Sequence, residues 1–207
     1  ALKKIQNIKD KTEKSASILK ENVSNAKVAI ANKDNIALEV IENNMIDLEK
    51  KISSLQQELY IDELTHLYNR RWLFEKYLQN DIFKENGVFA FIDINDFKRI
   101  NDTYGHMVGD KVLNLLGKVL RRIDNTFAVR FAGDEFIILS STHNEEEIEK
   151  VLHTVNHNLK STKLKHNEKV FTVDFAFGIT KFSQKNSFKE IVEVADKKMY
   201  SNKKSMK

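Results

Sequence analysis

The chain has 207 residues, 41% of them hydrophobic and 31% charged, with a formal net charge of +4. That composition can bury one core and leave residues for an extended appendage, while the absence of cysteine excludes disulfides and thiolate metal sites and fits a reducing, cytoplasmic setting. No stretch reaches the roughly 18 consecutive apolar residues of a membrane span, and the basic residues are not interleaved with aromatics on strands, so neither a membrane segment nor nucleic acid is expected.

The chain opens at Ala rather than Met and reads as a fragment whose upstream part would carry a sensor or a membrane anchor. Residues 1–60 are poor in aromatics and read as a helical arm. From Leu38 the apolar positions Ile41, Met45, Leu48, Ile52, Leu55 and Leu59 alternate in steps of three and four, the seam of a coiled coil or of a helix packed on a neighbour. A weaker phase runs through Thr12, Ala16, Leu19, Val23, Ala26 and Ile30. The stretch ANKDN at 31–35 interrupts the two phases, as a skip or as the turn of a helical hairpin.

Residues 61–207 have the texture of one α/β domain. Helical spacing runs over 70–83, 109–123, about 144–160 and 187–204, and strands are expected at 87–94, on both sides of 132–133 and at 168–180. Helices on a largely antiparallel sheet follow from this order. In "VRFAGDEFIIL" (129–139), Ala132 and Gly133 are expected to form the turn of a hairpin, Gly133 with positive φ, and Asp134 and Glu135 to leave it on opposite faces. Asp93 closes the strand "FAFID" and a helix starts near Asp96 to Lys98. If those strands are neighbours, Asp93 and Asp134 converge, and two carboxylates so placed repel unless a hard cation joins them, as Mg²⁺ does beside substrate phosphates. The helix start would offer N–H groups and an ammonium to such phosphates.

Four ordered blocks, "DELTHLYNRR" (62–71), "FIDINDFKRINDTYGHMVGD" (91–110), "RFAGDEF" (130–136) and "ADKKMYSNKK" (195–204), make residues 60–207 similar to the GGDEF family of diguanylate cyclases. The resemblance implies a palm-like α/β sandwich of the ferredoxin-like, nucleotidyl-cyclase type. Its activity would join two GTP, held by two chains face to face, into cyclic di-GMP and two pyrophosphates. It further implies that Asp93, Asp134, Glu135 and the carbonyl of Ile94 hold Mg²⁺, with Mn²⁺ as an alternative, and that Glu135 also activates the 3′-hydroxyl. Asn101 and Asp110 would read guanine, while Phe97, Lys98, Lys203 and Lys207 would meet the phosphates. A homodimer, through the arm or through facing cyclase domains, is then required.

Asp62, Leu64, Thr65, Leu67, Asn69 and Arg70 match the family's entry turn and are expected to be structural. Three departures stand out. Ala132 replaces the first signature Gly, and Asn95 replaces a frequent Asp. The inhibitory Arg-x-x-Asp would fall on 123 and 126, which are Ile123 and Thr126; "RRID" at 121–124 lies two residues early. Two other classes remain open: a catalytically silent GGDEF module that binds GTP as a switch, and an interaction protein acting through its arm.

Overall fold

The computed structural model describes residues 2–142 and 144–205. It divides into two compact units, Ala1–Leu59 and Tyr60–Lys207. No helix among the described residues is long and apolar enough to cross a membrane.

The first unit is a helical hairpin, α1 (Leu2–Asn32) and α2 (Asn35–Glu58). Lys33 takes a left-handed φ of 55° at the turn, and the Asp34 carboxylate caps α2 by accepting from the Ala37 amide at 3.0 Å. The two helices run antiparallel, with Lys11 near the start of one paired to Glu58 at the end of the other at 3.5 Å. Most of the seam read on α2 faces inward: Leu48 and Leu55 are buried, and Leu38, Ile41 and Met45 are half-buried. Ile52, expected in that seam, is exposed. On α1 the expected phase is corrected in part. The buried residues are Ser15, Asn22 and Ala29, seven apart, while Thr12, Ala16 and Leu19 line a groove with Ile52, Leu55 and Leu59, and Val23 and Ile30 face outward, Ile30 64% exposed. Small residues on α1 accommodate the bulky side chains of α2, so Val23 and Ile30 form an outer stripe.

In the second unit a five-stranded mixed sheet has the order β1-β5-β6-β4-β9. It comprises β1 (Tyr68–Asn69), β4 (Gly87–Ile94), β5 (Phe127–Ala132), β6 (Glu135–Ser140) and β9 (Phe175–Phe182). Only β1 on β5 is parallel. Alternation along β4 builds both cores. Val88, Ala90 and Ile92 join a cluster with α5 (His106–Leu120) and α6 (Glu145–Ser161), while Phe89 and Phe91 join one with Leu73, Phe188 and Ala195 on the opposite face. That second face is covered by α7 (Phe188–Ser205) and by α3 (Arg70–Trp72), which runs into a π-helical turn at Leu73–Tyr77. The expected α/β sandwich is present, with the helical pair as its appendage.

Beyond α5, which runs over His106–Leu120 rather than 109–123, two elements differ from the sequence reading. The helix expected over 70–83 stops at Tyr77. A short hairpin of β2 (Leu78–Gln79) and β3 (Ile82–Phe83) follows, turned by Asn80 and Asp81 at φ 50° and 62°. Both are residue types that tolerate the left-handed region a two-residue hairpin turn demands. The single strand expected over 168–180 is two: β8 (Lys169–Phe171), which pairs with β7 (Leu164–His166), and β9 in the main sheet. Asn144 caps α6 through a full capping box with Glu147.

Because Leu48 and Leu55 pack inside one chain's hairpin, replacing both with Lys is expected to melt the arm at any protein concentration, at a cost of several kcal/mol. Circular dichroism at 222 nm should show the lost helix, whereas Ile30→Lys on the outer stripe should leave helicity intact.

Candidate functional site

The hairpin of β5 and β6 pairs Ala132 with Glu135, so its two central residues are Gly133 and Asp134 rather than Ala132 and Gly133. Gly133 carries φ +45° at the first central position, a conformation that side chains disfavour, and Ala132 lies at the end of β5. The missing first Gly of the signature is thereby harmless to the turn. Asp134 is a turn residue, and its carbonyl accepts from the Ile94 amide at 3.4 Å, which seats the tip of the hairpin against the end of β4.

Register does the rest. Asp93 on β4 lies directly opposite Glu135 on β6, both on the sheet face covered by α7. Asp134 follows at the tip. Burial raises the carboxyl pKa of Asp134, and the neighbouring charge of Asp93 raises it further. Glu135 is raised in the same way, by burial first and then by Asp93, Asp134 and Asp196. Cations answer this cluster. The Lys203 ammonium, on α7, donates to Asp93 Oδ1 at 2.5 Å, and the charges of Arg130 and Arg70 act on Asp134 and Glu135 respectively. Arg70 and Asp196 were not expected at the site; Arg70 stood in the entry turn, and only the packing of α3 and α7 on one face of the sheet reveals them.

α7 is fastened so that Lys203 reaches this point. The Asn202 amide donates to the Phe177 carbonyl at 3.2 Å and Lys198 to the Ile179 carbonyl at 2.6 Å, both on edge strand β9.

Three oxygen-bearing acids that repel one another suit a hard divalent cation, and Ile94, buried at the end of β4, follows Asp93 directly. Among the described residues no three His, Cys, Asp or Glu side chains converge closely enough to hold a metal alone. The hard oxygens of Asp93 and Glu135, paired across the strands with Asp134 at the turn beside them, match a divalent cation in donor chemistry.

α4 (Phe97–Tyr104) begins two residues after Asn95, with Asp96 at its N-cap in the left-handed region and its carboxylate paired to Arg99 at 3.1 Å. Phe97 is half-buried against the core and Lys98 is exposed. Asn101 lies on the same helix, with its Oδ1 where a Cβ on residue 109 would stand, so only Gly109 lets α5 approach it. Asp110, next along α5, is exposed. Asn101 therefore packs against α5 at the residue before Asp110. Lys207 lies outside the described residues. Asn95 donates its amide to Asp174 Oδ1 at 3.1 Å; an Asp there would face another carboxylate, so Asn suits this neighbour. Arg121, Arg122 and Asp124 are exposed where α5 ends.

The entry turn is tied to the hairpin. Arg130 Nη1 binds both oxygens of Asp62 at 3.1 and 3.3 Å while its Nε donates to the Gly133 carbonyl at 3.0 Å. Burial opposes ionisation of Asp62, but the Thr65 hydroxyl and amide and then Arg130 outweigh it and hold the carboxyl below its ordinary value.

A family model described as "Diguanylate cyclase, GGDEF domain" matches residues 59–207. The chain belongs to this family. Diguanylate cyclase DosC of Escherichia coli is 30% identical over 160 residues, covering 70% of this chain and 33% of DosC. The chain spans about a quarter to a third of the length of curated relatives such as DosC that it matches. In fold it is similar to the coiled coil and GGDEF domain of DgcB from Caulobacter crescentus, solved with c-di-GMP. The TM-score is 0.70 at 22% identity, over 83% of this chain and 94% of that one. Diguanylate cyclase SiaD from Pseudomonas aeruginosa, solved with its activator SiaC, gives 0.69 at 22% identity over 99% of this chain and 81% of its own.

Asp62 has a lowered pKa, so it stabilises the fold above its ordinary value near 3.8, and the contribution disappears as pH falls through the folded value. Asp62→Asn is expected to cost about 1–2 kcal/mol near neutral pH, since the Asp62–Arg130 pair is only partly screened, and to flatten the acid limb of the stability curve. Urea melts at pH 7 and pH 3 measure both.

Proposed function

We propose that the domain is an active diguanylate cyclase that condenses two GTP into cyclic di-GMP and two pyrophosphates. The observation that carries this reading is the pairing of Asp93 with Glu135 beside Asp134, three carboxylates whose mutual repulsion a substrate-borne cation relieves. Asp93, Asp134, Glu135 and the carbonyl of Ile94 would hold Mg²⁺ or Mn²⁺, which when bound neutralises charge on the triphosphate.

The remaining residues bind and orient. Asp110 accepts from the N1–H and N2 amine of guanine, and Asn101 supplies the companion amide. Adenine offers no such donor edge, so Asp110 favours GTP. The start of α4 presents N–H groups, with Lys98, to the phosphates, and Lys203 exchanges its bond to Asp93 for a phosphate oxygen. The 3′-oxygen of one GTP attacks the α-phosphorus of the GTP on a second chain as the bond to the β-phosphate oxygen breaks and pyrophosphate leaves. Glu135 takes the hydroxyl proton; its raised pKa suits proton acceptance.

The chemistry needs two chains. Residues 1–60 would serve as the signalling and dimerisation arm, with the outer residues Val23 and Ile30 in the surface a second copy covers.

Incubation with GTP and Mg²⁺ should yield cyclic di-GMP and two pyrophosphates per product, read by mass; GTP bound but unconverted would leave only a silent module. Asp134→Asn and Asp93→Asn should each lower turnover by about a hundredfold or more. Asp110→Ala should erode the preference for GTP over ATP by about tenfold or more in a mixed-nucleotide assay.

A further inference from the structure

A cavity of about 480 Å³ lies between α5 and the β7–β8 hairpin. Val112, Leu115, Leu164 and Phe171 give it an apolar lining, and Phe171 is fixed by stacking on Tyr104 at 4.4 Å. Lys111, Lys118 and Lys165 stand around it, with Asp110 the single acid among its lining residues. Among the described residues none of the three lysines has a hydrogen bond or an ion pair.

This cavity is not the corner where Asn101 meets α5. At about 100° per helical residue, Lys111, Leu115 and Lys118 lie roughly 180–240° round α5 from Gly109, against which Asn101 packs. Val108 and Val112 form the cavity's floor toward the core, roughly 60–100° from Gly109 on one side, and Asp110 borders it at roughly 100° on the other.

Unpaired ammonium groups around one concave apolar surface raise the local concentration of anions, and the volume falls in the range that small ligands fill. We propose that the cavity is a second ligand site that takes a small anionic amphiphile. Its apolar body packs on Leu115, Leu164 and Phe171, and its carboxylate, sulfonate or phosphate lies among Lys111, Lys118 and Lys165. The site shares Asp110 with the proposed guanine contact but draws its three lysines from the far side of α5 and from β7, so it does not depend on whether the domain turns over GTP. An acyl chain and a two-ring aromatic share this chemistry, and separate probes distinguish them.

The test is amide NMR of the full ¹⁵N-labelled chain titrated with decanoate and, separately, with 1-naphthalenesulfonate. Saturable shifts centred on Val112, Leu115, Leu164 and Phe171 are expected with at least one probe, and the one that binds identifies the body. Lys118→Glu with Lys165→Glu should weaken that probe by about tenfold or more, since both charges reverse on an exposed rim. Leu115→Trp should block it by filling the space, with an unchanged melting temperature showing that the fold survives. Shifts confined to the arm, an affinity indifferent to the double charge reversal, or displacement of the probe by GTP would each overturn the proposal.

Discussion

Antiparallel register between β4 and β6 forces Asp93 to stand against Glu135, and the two-residue turn adds Asp134 to the same place. Like charges directly across a sheet destabilise it. The sheet cannot escape by slipping, because a shift of one residue would turn Phe89, Phe91, Ile137 and Leu139 from one core into the other. About twenty buried apolar side chains on one side of the sheet and fourteen on the other therefore hold Asp93 against Glu135, with Asp134 at the adjoining turn.

The surroundings of the acids follow from that constraint. Lys203 comes from a helix docked on edge strand β9 through Asn202 and Lys198, so the counter-charge is set by packing over the whole length of α7. Arg130 works from the other side of the hairpin, linking the Gly133 carbonyl to Asp62 of the entry turn. Asn95 and Asp174 fasten the loop after β4 to the start of β9, through an amide donor where a second carboxylate would repel. Each is a connection between segments far apart in sequence that converge on one end of the sheet.

Strands β4, β5 and β6 and helices α4 to α7 were legible because their apolar periodicity is strong and local, with a capping box at α6 besides. In the arm the break at ANKDN was legible, but not whether it was a skip or the turn that Asp34 caps. The β2–β3 hairpin was not, since its apolar residues continue a helical spacing and only Asn80 and Asp81 betray the turn. The break before β9 was hidden by an alternation that runs through Phe171 and Val173 into Phe175. On α1 the bulky residues suggested an inward face that the hairpin gives to Ser15, Asn22 and Ala29. At the site, motif order located Asp93, Asp134 and Glu135, but the exchange of Asp134 from strand to turn depends on how Ala132 pairs. Arg70 and Asp196 could be found only once two helices shared a face.

The central claim is that the acids are held in mutual repulsion for the sake of a cation on a substrate. It is tested most directly by thermal melting of the wild type and Asp134→Asn, each in EDTA and with Mg²⁺ plus a non-hydrolysable GTP analogue. With its carboxyl pKa raised in the fold, Asp134 destabilises the protein once pH rises above the ordinary carboxylate value, so Asp134→Asn should melt no lower than wild type in EDTA at pH 7. The wild type should gain several degrees on adding Mg²⁺ and the analogue, and Asp134→Asn little or nothing. A variant that melts well below wild type in EDTA, or that gains as much as wild type from the ligands, would contradict the account.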